Sequence, residues 1–232
     1  YKLFTEAADI TLVGHSIFDN WNLKKLKNKK VSNLGIGGIS TEQYQKFIFD
    51  KKMIKGKREI FVIIAGTNDI VNKNLSYLKI SEQINKMIDS IYENYREAKI
   101  FLVETPSVAF RIDRKKEDIF LLNKVIQKSL RKEVQYIPVN SYLVDTFGNL
   151  KLEYTYDGLH FTKEAYKKFV NYLDSLPSFN LSKEEQDYIE EVSSAFDMKV
   201  LKEVNASKIE AIENVEKWLK ENKNIIARYQ DY

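Results

Sequence analysis

Five short apolar runs punctuate the first 140 residues, and between them lie longer stretches whose apolar positions recur every three or four residues. The runs are Ile10–Val13, Val31–Leu34, Ile60–Ala65, Ile100–Val103 and Val134–Val139, rich in β-branched and aromatic residues and apolar on both faces. A strand open to water on one side alternates apolar with polar residues, so runs of this kind must be covered on both sides. Among the intervening stretches, Thr41–Ile54 places Tyr44, Phe47 and Ile48 on one side with the stem of Lys51. Ser81–Tyr95 aligns Ile84, Met87, Ile88, Ile91 and Tyr95, and Ile119–Leu130 aligns Leu122, Val125, Ile126 and Leu130. Strands alternating with amphipathic helices build right-handed βαβ units. The spacing therefore predicts an α/β three-layer sandwich around a five-stranded parallel sheet.

After Pro177 the pattern becomes helical only. Ser182 and Glu185 form a capping-box signature, and Ile189, Val192, Phe196, Val200 and Val204 then make one stripe. Ile209, Ile212, Val215, Leu219 and Ile226 make a second stripe after Asn205. The expected organisation is a sheet domain over residues 1–177 and a helical pair over 178–232. Such a pair must cover its stripes on the sheet domain, on an upstream domain or on a second copy in a homodimer. The chain begins at Tyr1 rather than Met, which points to a segment removed upstream. No run approaches the roughly 18 apolar residues that a membrane span requires.

Composition narrows the chemistry. The 232 residues include no Cys and only two His, His15 and His160, so thiol catalysis, Cys-type zinc sites and iron–sulfur clusters are excluded. Net charge is +4, with eleven Lys/Arg against Glu42 and Asp50 between Lys24 and Arg58, and eight basic against twelve acidic residues from Leu181 to Tyr232. The bland reading is a solvated basic face beside an acidic helical tail; an anionic substrate or surface is the sharper one. No aromatic-and-basic motif accompanies the basic segment, so nucleic acid is not an expected partner. The Gly35-Ile36-Gly37-Gly38 stretch resembles a dinucleotide loop only in part, because Ser40 stands where the third Gly belongs.

Four stretches fall where strands end: Gly14-His15-Ser16, Gly35-Ile36-Gly37-Gly38, Gly66-Thr67-Asn68-Asp69 and Asp157-Gly158-Leu159-His160. In an open parallel sheet, ligands bind outside the carboxyl ends of the strands, where these four would converge. An alcohol such as Ser16 needs a base to take its proton, and His160 is the available one because His15 is the immediate neighbour of Ser16. Asp157, three residues before His160, can reach the far imidazole nitrogen and fix its tautomer. Attack on an ester carbonyl then builds charge on oxygen, for which the amides of Ser16 and Gly38 and the side-chain amide of Asn68 are donors of suitable type. Losing one such donor typically costs about 2.7 to 4 kcal/mol of transition-state stabilisation. His15 reads as structural, and Asp69 as a residue that caps or orients its own loop.

Over roughly Ile10 to Leu173 these blocks resemble the SGNH or GDSL hydrolase family, whose four blocks carry Ser, Gly, Asn and His in that order. They read ITLVGHSIFDNW, NLGIGGIST, IIAGTNDI and YDGLHFT. The third and fourth are similar to the branch of acetylhydrolases and lysophospholipase-like esterases, which implies a flavodoxin-like sheet. The resemblance implies a serine hydrolase of short acyl esters with no metal or cofactor: Ser16, Asp157 and His160 catalytic, and Ser16, Gly38 and Asn68 holding the oxyanion. The first block departs from the family's Gly-Asp-Ser, with His15 in place of the Asp. The expected activity is removal of a short acyl group, acetyl foremost, from a carbohydrate or lipid ester. An O-acetyltransferase using the same site and a catalytically silent binding module are the alternatives. The expected partner is thus a small acyl-ester substrate, with carbohydrates among the candidates.

Overall fold

The computed structural model describes residues 2–26 and 28–176; the helical pair expected after Pro177 lies outside the described residues. The first four apolar runs become strands β1 (Ala8–Gly14), β3 (Lys29–Gly35), β4 (Arg58–Ile64) and β5 (Lys99–Val103), all parallel. The fifth becomes β6 (Gln135–Ile137), shorter than its apolar run because Pro138 has no N–H with which to continue a ladder. A further short strand, β2 (Lys25–Leu26), pairs antiparallel with β3, so the sheet has six strands rather than the five expected, in the order β2-β3-β1-β4-β5-β6. Two residues are too few to leave a period in the sequence. The hairpin turns through Asn28 at φ 56°, a left-handed conformation that Asn tolerates. The lysines on this edge discourage further strand pairing.

Helices cover both faces. Before β1 comes α1 (Lys2–Thr5); α2 (Ser16–Asp19) follows β1, and α3 (Thr41–Tyr44) follows β3. Then come α4 (Tyr77–Asn94), α5 (Lys116–Ser129), α6 (Asn140–Leu143) and α7 (Lys163–Ser175). On one face Ile10, Leu12, Ile60, Val62 and Phe101 pack with Ile17 and Phe18 of α2 and Phe169 and Val170 of α7. On the other, Val13, Phe61, Ile63 and Leu102 pack with Ile84, Ile88 and Ile91 of α4 and Ile119, Leu122 and Ile126 of α5. The helix expected to run from Thr41 to Ile54 stops at Phe49, because α3 widens into a π turn over Gln45–Phe49. The wider turn shifts the phase, leaving Phe47 half-exposed while Ile48 and Phe49 are buried.

The chain steps from β1 outward to β3, then crosses back over β1 to reach β4. Loops on either side of such a reversal diverge and leave a crevice at the carboxyl ends of the strands. Register aligns the ends, with Gly14 opposite Gly35 on one side and Ile64 on the other. Ser16 follows the end of β1, and Asn68 follows the end of β4.

Candidate active site

Ser16 opens α2, and the local sequence explains why the chain turns there. Gly14 lies so close to β4 that a Cβ on it would sit 2.1 Å from the Ile64 carbonyl oxygen, so only glycine fits. His15 is extended and caps α2, its Nδ1 accepting from the Ile17 amide at 3.5 Å. Ile17 and Phe18 are fully buried. The Tyr166 hydroxyl donates to the Ile17 carbonyl at 2.6 Å, and Asn33 Nδ2 donates to the carbonyls of Phe18 at 2.5 Å and Trp21 at 2.6 Å. Trp21 stacks on Tyr166 with ring centroids 5.1 Å apart, which ties this turn to α7.

The fourth block supplies the facing groups. His160 Nε2 lies 2.9 Å from Ser16 Oγ, and His160 Nδ1 lies 2.7 Å from Asp157 Oδ2. The other carboxylate oxygen, Oδ1, accepts from the amides of Leu159 at 3.0 Å and His160 at 2.8 Å, which aims Oδ2 at the imidazole. An ionised carboxylate can only accept, so Nδ1 carries the ring proton and Nε2 is left to accept from the Ser16 hydroxyl. Burial pushes the Asp157 carboxyl up, but the hydrogen bonds from the His160 ring and from these two amides outweigh it and hold the group well below the usual carboxylate range.

Gly38 is exposed at φ +73° in the turn Ile36–Ile39, with open space where a Cβ would stand. Asp19, three residues after Ser16, fixes that turn by accepting from the Gly37 amide at 2.9 Å. Asn68 Nδ2 donates to the Ile39 carbonyl at 2.9 Å, joining the third block to the second. Asp69 reaches further than its own loop: its carboxylate accepts from the Thr41 amide at 2.9 Å and the Thr41 hydroxyl at 2.8 Å, pinning the start of α3. Burial raises the Asp69 pKa against those hydrogen bonds.

His15 is buried, and its pKa is pushed down to about 3 by desolvation first, then by the charges of His160 and Arg114. It is a neutral imidazole throughout the ordinary pH range. Sequence reasoning missed Arg114. Its Nε donates to the Thr67 carbonyl at 2.8 Å and its Nη2 to Asn68 Oδ1 at 3.3 Å, which turns the Asn68 amide nitrogen toward the second block. Nothing in the spacing marks a loop Arg that lies 46 residues from Asn68. Among the described residues no group of three or more His, Asp or Glu is arranged to hold a metal ion. Nor is any described helix long and apolar enough to cross a membrane.

The chain matches the GDSL-like lipase/acylhydrolase family over residues 13–168 and belongs to that family. A solved structure from Streptococcus pneumonia, assigned as a platelet activating factor, is 27% identical with a TM-score of 0.65, covering 72% of this chain and 83% of that one. An acetylxylan esterase from Geobacillus stearothermophilus shares the fold at 10% identity and a TM-score of 0.53, covering 74% of this chain and 94% of that one. The N-acylneuraminate cytidylyltransferase of Escherichia coli O18:K1:H7 is 37% identical over 168 residues, which is 72% of this chain. The chain spans about 40% of the length of that curated relative.

Proposed function

We propose that this chain is a serine esterase that removes a short acyl group, acetyl foremost, from an acylated sugar, and that the sugar is an acid of the neuraminate class. The observation that carries the esterase reading is the hydrogen-bonded series Ser16–His160–Asp157, at 2.9 and 2.7 Å. The substrate class rests on the name of the cytidylyltransferase to which the chain is similar. Only that class is carried over; cytidylyl transfer is not proposed for this chain.

In this reading Ser16 Oγ attacks the ester carbonyl carbon while His160 Nε2 takes the hydroxyl proton. Asp157 holds the ring with Nδ1–H toward itself and stabilises the imidazolium that forms. The charge developing on the carbonyl oxygen meets the amides of Ser16 and Gly38 and the second N–H of Asn68 Nδ2, whose first hydrogen is engaged by Ile39. Collapse breaks the bond to the sugar oxygen, which leaves with the proton from His160, and an acyl-Ser16 ester remains. Water, deprotonated by His160, attacks this ester; the acid departs and Ser16 recovers its proton. No metal or cofactor takes part.

The test is hydrolysis of 4-nitrophenyl acetate by wild type and by Ser16→Ala, with acetate release from an O-acetylated N-acetylneuraminic acid measured in parallel. Loss of about four or more orders of magnitude in Ser16→Ala is expected. Equal background rates in both proteins would overturn the esterase reading and favour a silent binding module.

A further inference from the structure

The segment between β5 and α5 contains surface that the mechanism above does not use. Its base is fixed. Ser107 Oγ donates to the Gly148 carbonyl at 2.7 Å, and the Leu150 amide donates to the Val108 carbonyl at 3.2 Å. Ala109 is clamped to the turn that carries Asp157 and His160: its amide donates to the Gly158 carbonyl at 2.8 Å, and a Cβ on Gly158 would fall 1.9 Å from the Ala109 oxygen. Beyond this clamp the tip turns outward. Phe110 is 88% exposed and Ile112 is 95% exposed. Phe110 also adopts φ 55°, a left-handed conformation that costs free energy for a bulky residue and here gains no burial in return.

Arg111 stands between these two apolar side chains, with its Cδ 3.4 Å from the position a Cβ on Gly158 would take. Its stem therefore lies over the residue next to Asp157. Its Nε and Nη2 each donate to Asp113 at 3.0 Å, and Arg114 also pairs with Asp113. Asp157 acts on both guanidiniums as well, so two carboxylates offset the two cations, and what Arg111 offers a ligand is its N–H donors. Two hydrogen bonds engage only part of a donor set of five, so Arg111 keeps N–H groups for a further acceptor.

We propose that the Phe110–Ile112 tip is the substrate-recognition lip of this site, with Arg111 pairing the carboxylate of a sugar acid and Phe110 and Ile112 covering its apolar parts. The proposal rests on the sugar-acid reading given above. A planar guanidinium is the side chain best matched to a carboxylate, and this one is presented on a clamped loop beside the reacting groups. The C–H face of a pyranose and the methyl of an N-acyl group are the apolar surfaces the two hydrophobic residues would meet. The clamp at Ala109 and Gly158 keeps lip and acid–base turn in fixed relation, so a carboxylate held at one end sets where the ester lies at the other.

The experiment measures acetate release from O-acetylated N-acetylneuraminic acid and from its carboxylate methyl ester, with wild type, Arg111→Gln, Arg111→Lys and Phe110→Asn. Asn is chosen because it tolerates positive φ and so spares the loop. Wild type is expected to prefer the acid by about ten-fold or more in kcat/KM, the size of a hydrogen-bonded charge pair. Arg111→Gln should abolish that preference through KM, Arg111→Lys should recover part of it, and Phe110→Asn should raise KM for both substrates. Equal use of acid and methyl ester by wild type would overturn the proposal while leaving the sugar-acid reading standing. A ratio unchanged in Arg111→Gln, with both rates falling together, would make Arg111 a structural residue and equally overturn it. Cleavage of acetylated xylose and of 4-nitrophenyl acetate, but of neither neuraminate ester, would refute the sugar-acid reading and the proposal together.

Discussion

Ser16 and His160 lie 2.9 Å apart, yet the turns that carry them are held in different ways. The Ser16 turn is part of the core: His15 is 2% exposed, Ile17 and Phe18 are fully buried, and Tyr166 and Asn33 bind the carbonyls of the turn that follows Ser16. The His160 turn sits nearer the surface, with the Asp157 and His160 side chains about 30% and 28% exposed. It is held by its own hydrogen bonds, by an antiparallel bridge from Thr155 to Phe161 and by the Ala109–Gly158 clamp. The nucleophile is thus fixed by packing and the acid–base pair by local polar geometry. Disturbing the first should cost stability, and disturbing the second should cost rate.

The largest expected effect is on the polar half. Asp157→Asn keeps an oxygen for the two turn amides but presents an NH2 where Nδ1 needs an acceptor, which drives the imidazole to the tautomer protonated on Nε2. That tautomer cannot take the Ser16 proton, and kcat should fall by about 10⁴-fold. Steady-state kinetics on 4-nitrophenyl acetate check the rate, and a thermal melt at neutral pH checks that the fold survives.

The next pair separates the halves directly. Trp21→Ala empties an aromatic cluster in which the indole packs against Phe18, Tyr166 and Phe169, and should cost about 3 to 5 kcal/mol. Gly158→Ala puts a Cβ against the Ala109 oxygen at φ +85°. That overlap with backbone forces the Ala109–Gly158 clamp apart, in addition to about 1 to 2 kcal/mol of left-handed strain, and should lower kcat by at least about ten-fold as the His160 turn shifts. Urea unfolding and kinetics on the same two proteins check both. A Gly158→Ala protein with full activity would break the comparison.

The difference between the halves also explains what could be read from the sequence. The apolar runs of β1, β3, β4 and β5 and the stripes of α4 and α5 were legible because burial on both faces imposes a period. Ser16, Asn68, Asp157 and His160 were legible because each lies in a short block at a strand end, and Asp157 and His160 are close in sequence as well as in space. Strand β2 was not, since its two residues are too short to carry a period. The π turn was not, because Gln45–Phe49 differs from an α-helix in phase and not in composition. Arg114 and Arg111 were missed because they act from an irregular loop. Beyond the local Asp113, the partners of Arg114 are Thr67 and Asn68, and Arg111 lies by Gly158; these are brought in by tertiary contact that no spacing marks.

His15 gives the smallest and most selective test, because it belongs to the packed half and titrates unlike Asp157. Burial, followed by the charges of His160 and Arg114, pushes its pKa down to about 3, against about 6.5 in an unfolded chain. The unfolded chain therefore takes up a proton as pH falls through about 6.5, while the folded protein does not until about 3. Stability from this group is full above about pH 6.5 and is lost below it at up to about 1.4 kcal/mol per pH unit, or about 2 kcal/mol by pH 5. Asp157 is depressed rather than buried neutral, so its contribution is full above about pH 4 and fades only below that. Between pH 6.5 and 5, then, the packed half weakens while Asp157 keeps its charge. His15→Asn retains a capping oxygen for the Ile17 amide but cannot titrate, so its urea midpoint should change much less than the wild-type midpoint between pH 7.5 and 5. Equal pH slopes in the two proteins would mean that acid acts elsewhere, and that the residue beside Ser16 does not set the acid limit of the fold.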